Sequence, residues 1–206
     1  MKEPGLERRL VVDPHPRHSF VTYFSDATSP EQFLFVDGDA HQIRFSDWDV
    51  PTQSNASNET KTEVLIQHKN FSLVKSIEID GPSVKLSLIT ASVPDIASSF
   101  FVEINLTVLT DQADDRYMLV DGERQRLNTG IQAESVSTLA LVDEWQKRRA
   151  VLEPSLPAKL ISYPVYTISS SEAGFERTYQ GTCIMLGFDP VLLQDGIAVV
   201  LQIQEL

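Results

Sequence analysis

Apolar and polar side chains alternate one by one along most of this chain. In FFVEINLTVLT, Phe100, Val102, Ile104, Leu106 and Val108 share one face, while Glu103, Asn105 and Thr107 fall on the other. That period of two predicts a strand with one face buried. FSLVKSIEID sets Phe71, Leu73, Ile77 and Ile79 against Ser72, Ser76, Glu78 and Asp80, and SVKLSL does the same with Val84, Leu86 and Leu88. Between these two runs lies Asp80-Gly81-Pro82. An Asp-Gly step flanked by alternating runs predicts a hairpin, because glycine accepts the positive φ of the tight turn.

Further strands are expected in HQIRFSDW, ESVSTLALVDEW, RRAVLEP, AKLISYPVYTI, FERTYQGTCIML and IAVVLQIQ. Turn signals separate them at Asp121-Gly122, Asn128-Thr129-Gly130, Asp189-Pro190 and Asp195-Gly196. Only TSPEQFLF reads as a helical turn, with Ser29 as cap and Pro30 at the first helical position. Sheets with no helices to cover them must cover one another, so the expectation is an all-β, two-layer antiparallel sandwich forming one domain over residues 1–206. Residues 49–63, DVPTQSNASNETKTE, lack apolar periodicity and are expected to form a long polar loop.

Composition narrows the range of partners. The 206 residues are 42% hydrophobic and 22% charged, an ordinary globular balance, and no apolar run approaches the ~20 residues that cross a bilayer. The start, MKEPGLERRLVVDPHPRH, has no apolar core of a signal peptide, so a cytoplasmic location is expected. With 29 acidic and 17 basic residues the net charge is −12, which repels phosphate backbones and anionic membranes. Neither nucleic acid nor a membrane is an expected partner, whereas a neutral sugar is indifferent to this charge. Cys183 is the only cysteine, so there is no internal disulfide, and its apolar setting predicts an inert buried thiol.

The familiar catalytic signatures are missing: no G-x-S-x-G, no phosphate-binding glycine loop and no H-E-x-x-H. His15 and His18 flank a proline and have no third ligand in register, and the acidic groups Asp37/Asp39 and Asp111/Asp114/Asp115 do not complete a calcium-loop spacing. No metal, cofactor or catalytic residue is expected. Trp48 and Trp145 end their strands beside acidic residues and are the aromatic residues expected to stay exposed, as platforms for a sugar face. In FERTYQGTCIM, Phe175, Tyr179, Cys183 and Met185 share even spacing, which reads as one inward row, and Gly181 on it predicts a bulge or the close approach of another backbone.

The stretch YPVYTISSSEAGFERTYQGTC resembles the signature of the C-terminal β-sandwich domain of family-57 glycoside hydrolases, the 4-α-glucanotransferase and α-amylase group. Pro164, Thr167, Ser169, Ser171, Glu172, Gly174, Phe175, Glu176, Tyr179, Gln180 and Gly181 match it in order. LALVDEW and RHSFVTYF look like upstream parts of the same domain, so the resemblance spans nearly the whole chain. It implies a galactose-mutarotase-like supersandwich. It carries no catalytic residue onto this chain, because in that family the nucleophile and acid belong to an N-terminal barrel that this sequence does not contain.

The function so implied is that of a non-catalytic, carbohydrate-associated accessory domain, with an α-glucan or oligosaccharide, or a family-57-type catalytic barrel, as partner. Glu172, Glu176, Arg177 and Gln180 are candidates for a polar row under a glucan; the competing structural reading makes Glu172 and the serines a hydrogen-bonded corner. Two alternatives stand beside this one: a mutarotase-like sugar epimerase using a histidine and a carboxylate, and a purely structural interaction module.

Overall fold

The computed structural model describes residues 17–25, 42–44, 61–68, 71–93, 99–171 and 174–206. Fourteen strands, numbered in chain order among these residues, form two antiparallel sheets. The six-stranded sheet runs β2 (Gln42–Arg44), β1 (Val21–Ser25), β6 (Ser99–Leu106), β13 (Gly174–Phe188), β12 (Ala158–Ser171), β9 (Ile131–Val136). The eight-stranded sheet runs β3 (Lys61–His68), β4 (Phe71–Asp80), β5 (Ser83–Thr90), β14 (Ile197–Glu205), β11 (Arg148–Pro154), β10 (Leu139–Asp143), β7 (Arg116–Val120), β8 (Glu123–Arg126). The described residues contain no α-helix; a 3-10 turn, Pro190–Gln194, capped by the Asp189 carboxylate, leads into β14.

The predicted apolar rows fill the space between the sheets. Phe24, Phe100, Val102, Ile104, Leu160, Ile184 and Leu186 from one sheet pack with Leu73, Leu86, Leu88, Met118, Leu139, Leu152 and Val199 from the other in a single buried cluster. The Phe24 and Phe100 rings, cross-strand partners, meet at 5.1 Å between centroids. Each such fully buried side chain contributes ~1.5–3 kcal/mol, and no helix is needed to cover either sheet. The β4–β5 hairpin turns at Gly81 with φ +53°. The β7–β8 hairpin turns at Asp121 and Gly122 with φ +47° and +88°, the paired positive values that let a two-residue turn follow strand twist.

Three expectations are corrected. The polar stretch 49–63 is not loop throughout: Lys61–Glu63 open β3, whose KTEVLIQH pairs along its whole length with β4. The rest of that stretch, the helical turn expected near Ser29, and Asp37 and Asp39 lie outside the described residues. ESVSTLALVDEW is two strands, β9 and β10, because the chain turns at Ser137 and Thr138, whose amides donate to Asp121 Oδ1 at 3.0 and 2.8 Å.

The third correction concerns the row on β13. Val165 pairs with Gly181 but Tyr166 pairs with Tyr179, so Gln180 is an extra residue on β13 and the strand carries the bulge that Gly181 suggested. A Cβ on Gly181 would lie 2.8 Å from the Leu106 carbonyl oxygen, so the expected close backbone approach is also present. The extra residue reverses the phase of the alternation. Tyr179 shares a hydrogen bond of 2.7 Å with Thr182, on the face turned to the other sheet, while Cys183 and Met185 sit on the opposite face in a small second cluster with Phe101 and Ile161. The Phe175 side chain lies outside the described residues. Cys183 is the buried thiol expected, and desolvation pushes it up to about 12.

Candidate functional site

A concavity lies at the β7–β8 edge of the eight-stranded sheet. It is a cleft of about 510 Å³. Its walls are the 111–114 loop that follows β6, the start of β7, and β8 with the turn after it. Leu127, fully buried, anchors that turn from beneath. Gln112, Gln125, Arg124, Arg126 and Asn128 supply amides and guanidinium groups to the walls, and Asn128 Nδ2 approaches Gln112 Oε1 at 3.4 Å.

A chain of aromatic and charged contacts runs from the cleft to the β10–β11 turn. The Tyr117 hydroxyl donates to Glu144 Oε1 at 2.9 Å, a carboxylate partner that raises the phenol above its ordinary pKa. The Arg124 guanidinium lies 3.8 Å from the Tyr117 ring centroid, and the same side chain donates to the Asp114 carbonyl. Arg116 bonds Asp115 Oδ1 at 2.8 Å, approaches Asp143 Oδ1 at 3.5 Å, and lies 5.8 Å from the Trp145 ring centroid. Trp145 is 72% exposed in the β10–β11 turn, which Asp143 holds by accepting from the Gln146 amide at 3.0 Å. Exposure of a tryptophan there matches the reading of LVDEW, where the ring follows two acids and the end of an apolar run.

Asp111 closes the back of the cleft and ties it to the signature stretch. The Tyr166 hydroxyl donates to Asp111 Oδ2, the Tyr166 and Tyr179 rings meet edge-on at 6.2 Å, and the Arg177 guanidinium lies 4.3 Å from the Tyr166 ring centroid. Burial and the Asp111 carboxylate both raise the Tyr166 phenol. The signature hairpin, β12–β13, therefore clamps the loop that makes the cleft wall.

Residues 1–197 match the family described as alpha-amylase/4-alpha-glucanotransferase, C-terminal. The chain belongs to that family. Alpha-amylase 1 of Dictyoglomus thermophilum is 28% identical over 200 residues, covering 89% of this chain but 27% of that protein, so the chain spans about a quarter of the curated relative it matches. In structure it is similar to the 4-alpha-glucanotransferase of Thermococcus litoralis, with a TM-score of 0.60 at 16% identity over 100% of this chain and 30% of that one. A protein catalogued as an aldose 1-epimerase from Escherichia coli K12 gives a TM-score of 0.50 at 8% identity, over 84% of this chain and 75% of that one. At these identities the structural likeness speaks for the supersandwich fold alone. As a member of this family, the chain is a C-terminal domain of α-glucan-processing enzymes.

The residues singled out from the sequence do not form one row in this family member. Arg177 packs on Tyr166, on the face turned toward the 111–114 loop. Glu176 and Thr178 alternate to the other face of β13 and are exposed. Gln180, the bulged residue, also faces away from Arg177 and donates to Thr167 Oγ1 at 3.0 Å. Trp145 does not line the cleft and is joined to it through Arg116, while Trp48 and Glu172 lie outside the described residues. Sequence reading missed Tyr117, Arg124, Arg126 and Asn128, which come from short strands and turns with no motif; the signal within reach was Arg-rich ERQR set beside the Asp121-Gly122 turn. Among the described residues no three His, Cys, Asp or Glu side chains are grouped to hold a metal ion.

Proposed function

We propose that this domain holds α-glucan for a catalytic domain and performs no chemistry itself. The observation that carries this is the cleft: planar amides and guanidinium groups line its walls with Tyr117, and the exposed Trp145 ring lies beyond Arg116. A pyranose has apolar C–H faces and a belt of paired hydroxyls, so it is matched by an aromatic plane next to flat bidentate polar groups. Membership of a family of glucan-processing enzymes supports the identity of the sugar. Isothermal titration with malto-oligosaccharides tests it. Binding should weaken about tenfold, equivalent to ~1.4 kcal/mol, in Trp145→Ala and in Arg124→Ala; no heat at millimolar sugar overturns the proposal.

Docking against a family-57-type barrel is a second reading, supported by exposed apolar residues at one end of the eight-stranded sheet. Ile79 is 51% and Ile203 42% exposed, and the Ile203 amide donates to the Pro82 carbonyl at 3.0 Å, beside the β4–β5 turn. Co-purification with such a barrel, lost in Ile79→Lys with Ile203→Lys, is the expected result; retention in the double variant removes this surface from consideration.

A further inference from the structure

The outer face of the six-stranded sheet carries a second, smaller pocket that the cleft does not involve. Its volume is about 220 Å³, and Arg17, Asn105, Thr107, Val165, Gln180 and Gly181 lie around it. Its origin is in the sequence. Gly181 sits between β6 and Val165 of β12, and the Leu106 carbonyl leaves no room for a Cβ. The row from Thr107 to Val165 therefore lacks its middle side chain, and the gap is floored by backbone, Leu106 and Val165. The bulge at Gln180 places a carboxamide at one side of the gap.

The other wall is delivered by the segment before β1. Ser19 brackets the main chain of Asn105, its hydroxyl accepting from the amide at 3.1 Å and donating to the carbonyl at 2.9 Å. Asn105 Nδ2 donates back to the His18 carbonyl at 2.8 Å and to Glu103 Oε1 at 2.7 Å. This lashing lays Arg17 across the sheet, where its guanidinium donates to the Tyr163 hydroxyl at 3.0 Å and approaches Glu103 Oε1 at 3.8 Å. Glu103 is 3% exposed. With both amide hydrogens of Asn105 committed, its Oδ1 remains a buried acceptor without a donor.

We infer that this pocket is a second sugar site, which takes a single neutral pyranose ring. Its floor is apolar, its volume of about 220 Å³ is that of a small ligand, and its rim offers a guanidinium, a carboxamide and a hydroxyl, donors and acceptors suited to vicinal hydroxyls. An anion is disfavoured, because the Glu103 carboxylate behind Arg17 already balances the guanidinium charge. The two sites lie back to back across the β12–β13 hairpin: Val165 lines the pocket, while its neighbour Tyr166 bonds Asp111 in the cleft. A chain with two sites grips a branched or long glucan by avidity, since the second contact is intramolecular once the first has formed. Only this last consequence rests on the cleft being a glucan site.

The test is titration of the isotope-labelled chain with methyl α-glucoside, followed by NMR, in wild type, Gln180→Ala and Thr107→Val. Both altered residues are exposed, so the fold is not at risk. Signals of Gly181 and the Asn105 carboxamide should shift, and both variants should weaken that response at least fivefold while leaving shifts around Asn128 untouched. Absence of shifts at Gly181 when those at Asn128 saturate, or indifference to both variants, overturns the second site. If the Gly181 set titrates and the Asn128 set does not, the cleft reading falls and this one stands.

Discussion

Tyr166, in the middle of the signature hairpin, donates its hydroxyl proton to the carboxylate of Asp111, a residue 55 positions earlier that closes the cleft. Asp111 is almost fully buried, and this bond supplies one of its carboxyl oxygens with a partner in place of water. Tyr166→Phe removes the donor and keeps the ring under Arg177. The expected cost is about 1–3 kcal/mol of stability, the range for a hydrogen bond to a buried charged group, read by urea melts. Malto-oligosaccharide affinity should drop as the 111–114 wall loosens, and the response at Gly181 should be unchanged.

Trp145 separates binding from folding. Its ring is mostly in solvent, so Trp145→Ala should change stability by no more than ~0.5 kcal/mol while lowering glucan affinity in the titration proposed above. A large loss in melting temperature would mean the ring supports the β10–β11 turn through Arg116 and Asp143.

Gly181→Ala tests the close approach behind the second pocket. A methyl group 2.8 Å from the Leu106 carbonyl oxygen meets backbone, which cannot swing aside. Strands β6 and β13 must part, at about 1–3 kcal/mol. For a chain of this length, each kcal/mol lowers the melting temperature by about 2–4 °C, which calorimetry resolves.

Lys75 sets an alkaline dependence of stability. Its side chain lies on the face of β4 turned to the core and donates to the Phe20 carbonyl, and desolvation lowers its pKa from 10.5 to about 8. Between these values the unfolded chain holds a proton that the folded chain has released, so this group's contribution to stability rises as pH goes from about 8 to 10.5. Below pH 8 the buried ammonium is a burden on the order of 3 kcal/mol. Lys75→Met should therefore stabilise the protein at pH 7, by about 1–2 kcal/mol after loss of the Phe20 bond. The advantage should vanish near pH 10.5, and paired urea melts at the two pH values measure it.

Strand identity was legible because alternation is a local property. The Phe100-to-Leu106 row and the Asp80-Gly81 hairpin needed no tertiary information, and Gly181 announced both a bulge and a crowded neighbour. Phase was not legible beyond the bulge: an extra Gln180 moves Cys183 and Met185 to one face and Tyr179 to the other, and no residue type marks which side of Gly181 the extra residue takes. The polar row of Glu176, Arg177 and Gln180 dissolved on alternation alone, since Arg177 points to the face opposite Glu176 and Gln180. The cleft was hidden more deeply. Asp111, Tyr117, Arg124 and Asn128 come from a loop, two short strands and a turn, and only the pairing of β7 with β10 and β8 assembles them.

Strand β14 lies between β5 and β11, joining β3-β4-β5 to β11-β10-β7-β8. On the ribosome, the larger sheet stays split into two incomplete ribbons until residues 197–205 have emerged, however much of the smaller sheet has already formed. A premature stop ahead of Ile197 would leave β5 and β11 each with a bare edge, an invitation to pair with other nascent chains. Pairing of β14 covers both of those edges at once.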